Sequence, residues 1–202
     1  MSTKSIRLNI LLTSILCLTL AYSPMLQARS IKENAQQSLG WLANKHSSWV
    51  KNNAHSHYFA RVVSVWDGDS VNVIDTNGKK HKLRLAYIDA PETNQAHGMA
   101  SRDALRSVLN GQKVEVIVFE LDQYRREVAK IMLDGQDVNQ WLLEQGHVWH
   151  YVSIAKRKQN KLDYADYAYA EAVARQVRLG LWQQRAPLAP WTFRKNQRKA
   201  SE

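Results

Sequence analysis

Cysteine is almost absent: the chain of 202 residues has one, Cys17, so no disulfide can close within it. The residues before Cys17, Ser14, Ile15 and Leu16, also lack the small side chain expected of a lipid-attachment site. Long apolar stretches are missing too. The uncharged run over residues 8–21 falls short of the roughly 20 residues that cross a bilayer, so a permanent membrane anchor is not expected. Lys4 and Arg7 precede that run, and Ser23, Pro24 and the small Ala28 follow it, which is the layout of an export signal cleaved near residue 28. Cleavage would leave a mature chain without cysteine, excluding thiolate catalysis and a cysteine-bound zinc. The histidines, among them His55, His57, His81, His97, His147 and His150, are scattered without metal-ligand spacing, and no internal repeat occurs.

Acidic residues are outnumbered, with 18 Asp and Glu against 28 Lys and Arg and a net charge of +10. Such an excess attracts phosphate backbones through counterion release, and anionic cell surfaces equally well. Charge alone does not choose between these partners.

The chain length allows one ordinary domain with extensions. Residues 29–57 are polar with scattered Leu39, Trp41, Leu42, Trp49 and Val50, and read as an amphipathic extension. From Tyr58 the character changes. YFARVVSV, SVNVID, KHKLRLAYID, KVEVIVFE and EVAKIML are five short segments rich in β-branched and aromatic residues. Asn77-Gly78 between the second and third predicts a two-residue type I′ hairpin. Helical patterns cover 99–109, 138–144 and 162–177. The expected fold class is therefore α+β: a five-stranded OB-type β-barrel with a helix inserted between strands three and four, and helices after strand five. The expected organisation is a signal over 1–28, the extension over 29–57, a domain over 58–182 and a basic strap over 183–202. The strap, with Pro187 and Pro190, is expected to be irregular.

Three short motifs could carry chemistry. Asp67-Gly68-Asp69-Ser70 joins the first two strands, and by itself such a tetrapeptide is usually a plain turn. Arg84 lies in strand three, which ends in Asp89-Ala90-Pro91-Glu92-Thr93. Pro91 keeps Ala90 extended, so the Ala90 carbonyl could join Asp69 and Asp89 as an oxygen ligand for a hard cation such as calcium or magnesium. The alternative is that Asp89 and Glu92 merely open a helix. Arg125-Arg126 precedes strand five, where a lone arginine pair is most often a solvated surface feature.

Taken in order, DGDS, LRLAYIDAPET, DQYRREVAKI and DGQDVNQWLLEQG resemble the staphylococcal nuclease family over residues 58–182. The resemblance implies a calcium-dependent endonuclease acting on DNA and RNA and leaving 3′-phosphate ends. It implies that Asp69, Asp89 and the Ala90 main-chain oxygen hold Ca2+, that Arg84 and Arg126 bind the phosphate, and that Glu92 is the general base. Tyr124 falls where the family has a tyrosine near the nucleotide phosphate. Ala90 replaces a family threonine, which spares a ligand that is only a carbonyl. Arg125 occupies a usual glycine, where a side chain could alter the loop or add a phosphate contact. The loop between strands four and five is short, and Trp149, His150 and Tyr151 could be stacking platforms or packing residues. The rival is an OB-type module that binds nucleic acid without cutting it. A third class, an envelope protein holding acidic polymers, needs only the charge. No stable protein partner is implied, and the expectation is an exported monomer, periplasmic or secreted.

Overall fold

The computed structural model describes residues 55–201; the expected export signal with Cys17 and most of the expected 29–57 extension lie outside them. In chain order the elements are β1 (Ser56–Val65), β2 (Ser70–Asp75), β3 (Lys80–Leu85), β4 (Ile88–Asp89), α1 (Gly98–Leu109), β5 (Lys113–Leu121) and β6 (Glu127–Leu133). They continue with β7 (Gln136–Asp137), α2 (Val138–Glu144), β8 (Trp149–His150), α3 (Val152–Lys158), α4 (Lys161–Gln176), a 3-10 turn at Gly180–Gln183 and α5 (Pro190–Ala200).

The main strands run β3-β2-β1-β5-β6, and a parallel β3–β6 pairing closes them into a barrel. Closure leaves no long open edge. Alternate residues point inward as a two-residue period demands: Ala60 and Val62 on β1, Val71 and Val73 on β2, Leu83 and Leu85 on β3 are all buried. Leu105 and Leu109 of α1, with Leu142 and Leu143 of α2, join the same core; full burial of each such side chain contributes roughly 1.5–3 kcal/mol. The α+β, OB-type barrel and its inserted helix are therefore as expected.

Three local expectations are corrected. Strand three does not run on to Asp89: the chain breaks after β3, with Tyr87 at φ 64. Ile88 and Asp89 then pair with His150 and Trp149 in a separate two-stranded ribbon. The buried Asn139 of α2 satisfies the backbone at this break, donating to the Ala86 and Ala129 carbonyls and accepting from the Ile131 N–H. The Asn77-Gly78 turn is not type I′, because only Gly78 has a positive φ, at 81. Asp75 and Lys79 instead flank a three-residue tip, because the Asp75 carboxylate accepts the Asn77 and Lys79 N–H groups and so specifies a longer loop. Finally, the carboxy-terminal strap is not irregular. Pro190 occupies the first turn of α5, where its missing N–H is no loss, and Trp191 stacks on Tyr151 at 5.5 Å. No helix among the described residues is long and apolar enough to cross a membrane.

Candidate active site

Register brings the motifs together. Ser70 pairs with Arg84 across β2 and β3, and the Leu85 N–H donates to the Asp69 carbonyl, so the DGDS loop lies beside strand three. Arg84 pairs with Val128 across the parallel closure, so Arg126, one residue before β6, belongs to the neighbouring strand's end. Arg84 and Asp89 are an odd number of residues apart and would face opposite sides of a straight strand. The break at Ala86 and Tyr87 reverses this and places Arg84 Nη2 at 2.7 Å from Asp89 Oδ1. A positive φ at a tyrosine is a strained conformation, held here by the Tyr151 N–H donating to the Tyr87 carbonyl.

Close backbone approach fixes the loop further. A Cβ on Gly68 would lie 2.0 Å from Ser101 Oγ and 2.7 Å from the Ala90 Cβ, so only glycine lets the DGDS loop reach α1 and Ala90. Asp69 Oδ2 then accepts the Ala90 N–H at 2.7 Å and the Arg84 guanidinium at 2.6 Å. Gly98 allows the start of α1 to press on the Glu92 carbonyl, where a Cβ would be 1.8 Å away. Asp89 and Glu92 do not cap that helix, whose first residue follows a left-handed His97 with no side-chain cap bond. The helix-opening alternative for these two acids is thus excluded.

One cavity of about 800 Å³ gathers these groups. Asp69, Arg84, Asp89, Ala90, Glu92, Tyr124 and Arg126 all line it; Arg125 does not. The acids differ in exposure: Asp89 is fully buried and Asp69 nearly so, whereas Glu92 is partly exposed. Burial pushes the Asp69 carboxyl up to about 8 even though the Arg84 charge pulls it down. Burial also works against the Arg84 guanidinium, yet Asp69 and Asp89 hold it above its ordinary range.

Arg126 is aimed by its own loop. Asp122 Oδ1 accepts the Tyr124 and Arg126 N–H groups, and Asp122 Oδ2 accepts Arg126 Nε at 2.7 Å. The guanidinium also lies over the Tyr124 ring, 5.5 Å from its centre. Arg125 adopts φ 62, the left-handed backbone that a glycine would take without strain. Trp149 and His150 are packing residues: His150 is buried against Gln159 and Tyr164, and Trp149 packs on Trp182. Tyr151 lines the cavity but is covered on one side by Trp191.

Sequence reasoning missed Arg194. From α5 it donates Nη2 to Asp89 Oδ2 and Nη1 to Glu92 Oε1, both at 2.7 Å. Lys158 and Arg198 also line the cavity. Pro190 followed by ten residues free of glycine and proline was a legible helix signal, but nothing in the chain says which residue such a helix faces.

A family model described as staphylococcal nuclease homologue matches residues 82–184, half of the chain. The chain belongs to the staphylococcal nuclease family. That span contains Arg84, Asp89, Ala90, Glu92 and Arg126, while Asp69 and Arg194 lie outside it. The chain is 38% identical over 120 residues to staphylococcal-like nuclease CAN1 of Arabidopsis thaliana, covering 59% of this chain and 35% of that protein. It is 34% identical over 124 residues to probable staphylococcal-like nuclease CAN2 of Oryza sativa subsp. japonica, covering 61% and 32%. To an uncharacterized endonuclease of Escherichia coli O157:H7 it is 36% identical over 135 residues, covering 66% of this chain and 83% of that one. The chain thus spans about a third of the length of the plant relatives it matches and most of the bacterial one.

The residues fit a hard cation. Among the described residues no group of three His, Cys, Asp or Glu side chains is assembled for a metal, but the expected set has only two carboxylates and a carbonyl. All three donors are oxygen and both acids are buried, as a site for a dehydrated hard cation requires.

Proposed function

We propose that the protein is an exported, monomeric, calcium-dependent endonuclease that hydrolyses phosphodiester bonds of DNA and RNA and leaves 3′-phosphate ends. The observation that carries this reading is that Asp69, Arg84, Asp89, Ala90, Glu92 and Arg126, drawn from separate stretches of chain, line one cavity.

In this reading Glu92 accepts a proton from a water attacking phosphorus, and its partial exposure leaves room for that water. Arg84 and Arg126 donate to the non-bridging oxygens as charge gathers there; Asp122 engages Arg126 through Nε, which leaves the rest of the fork for phosphate. The leaving group is the 5′ oxygen. Asp69, Asp89 and the Ala90 carbonyl would hold Ca2+, whose charge offsets that of the substrate phosphate when bound. Tyr124, exposed beside Arg126, would flank the nucleotide, and Arg125 would meet the strand outside the cavity.

The test is cleavage of DNA and RNA by the purified protein with and without calcium. Chelation abolishes cutting, and Glu92→Gln lowers turnover by about 10²–10⁴ without loss of fold. Gel retardation without cutting under all conditions would replace the enzyme by the non-catalytic OB-type binding module.

A further inference from the structure

The helix α5 lies beyond the family-matched segment, yet it delivers a guanidinium to the acidic end of the cavity. Arg194 reaches Asp89 Oδ2 at 2.7 Å, Asp89 Oδ1 at 3.3 Å and Glu92 Oε1 at 2.7 Å. Arg84 takes Asp89 Oδ1 at 2.7 Å as well. Both oxygens of Asp89 are therefore engaged, and so is one of Glu92. An oxygen whose lone pairs point at a guanidinium cannot in the same moment ligate a cation on that side or receive a proton from water.

The two partners are unequal in freedom. The Asp89 side chain is 1% exposed, held between β8 and Arg84, whereas the Arg194 side chain is 38% exposed on a surface helix. The helix has its own anchor, Trp191 against Tyr151 and Trp149. The long arginine stem can thus swing its head away from the acids while α5 stays docked.

We propose that Arg194 is a displaceable counter-ion of the active site, closing over Asp89 and Glu92 when no divalent cation is bound and withdrawing for one to bind. The inference rests on the cation site proposed above. Its physical consequence is competition: a site open for only a fraction of the time binds its ion more weakly by that fraction. A plain charge effect is different, because removing any nearby positive charge would strengthen cation binding slightly, and less so the farther the charge lies from the site.

Calcium titration of the full chain by calorimetry separates these. Arg194→Ala and Arg194→Gln are expected to bind calcium about tenfold more tightly than the parent. Lys195→Ala removes the same charge from the exposed face of the same helix and is expected to change affinity by less than about twofold. Equal effects of Arg194→Ala and Lys195→Ala, or weaker binding by both Arg194 variants, would overturn the competition while leaving the cation site intact. Asp89→Asn is expected to abolish calcium binding in either background; undiminished binding there would overturn the site itself, and the counter-ion with it.

Discussion

The barrel carries two hairpin tips built to one plan. In Asp75–Lys79 and in Asp122–Arg126 the first residue donates its N–H to the fifth residue's carbonyl, and its own carbonyl accepts from the fourth. In both, the aspartate Oδ1 accepts the N–H groups of the third and fifth residues. The plan diverges at two atoms. The fourth residue is Gly78 in one tip and Arg125 in the other, both left-handed. The spare Oδ2 holds His81 in the first and Arg126 Nε in the second. The first tip is a turn and nothing more; the second uses the same frame to aim a guanidinium into the cavity and accepts a strained residue beside it. Backbone design is thus common to both, and function enters through what the leftover carboxylate oxygen grips.

Substitutions at matched positions test that contrast. The largest effect is expected at the fifth position: Arg126→Ala lowers kcat on DNA by about 10²–10³, while Lys79→Ala leaves it within about twofold. Equal losses would mean that position matters only for folding. At the first position, Asp122→Ala and Asp75→Ala each remove an acceptor for two N–H groups and lower the midpoint of denaturant titration. Only Asp122→Ala is expected to slow cleavage as well, by about tenfold, because Arg126 loses its hold. At the fourth position, Arg125→Gly is expected to stabilise by about 0.5–1 kcal/mol, and Gly78→Ala to destabilise by a similar amount.

The smallest effect is on acid stability. The Asp75 carboxyl is held below its usual range chiefly by the Lys79 N–H, and Asp122 is held low by Arg126 and its backbone N–H against the opposing effect of burial. A carboxyl lowered on folding stabilises the protein above its unfolded pKa and loses that contribution as pH falls through the folded value. Acid melting below pH of about 4 should therefore be less steep in Asp75→Ala and Asp122→Ala than in the parent. An unchanged slope would remove both carboxylates from the acid transition.

Much of the site was legible because its motifs are short and local. Asp69, Arg84, Asp89, Ala90, Glu92, Tyr124 and Arg126 could all be picked out along the chain, and all line the cavity. Arg125 could be picked out as an arginine on a glycine position, and its φ explains what that costs; its place outside the cavity could not be foreseen. Arg194 left no signal, since its role depends on where α5 docks, and docking is decided by Tyr151 and Trp149 far back in the chain.

The alternation of apolar residues, the helix periods and the order of the motifs determined the barrel, its inserted helix and the acidic and basic groups of the cavity, because side-chain period and turn chemistry act over a few residues. Tertiary structure alone decided the break at Tyr87 and the approach of Arg194 to Asp89. Each of these is set by partners distant in sequence. Such choices are made only when the chain has closed on itself.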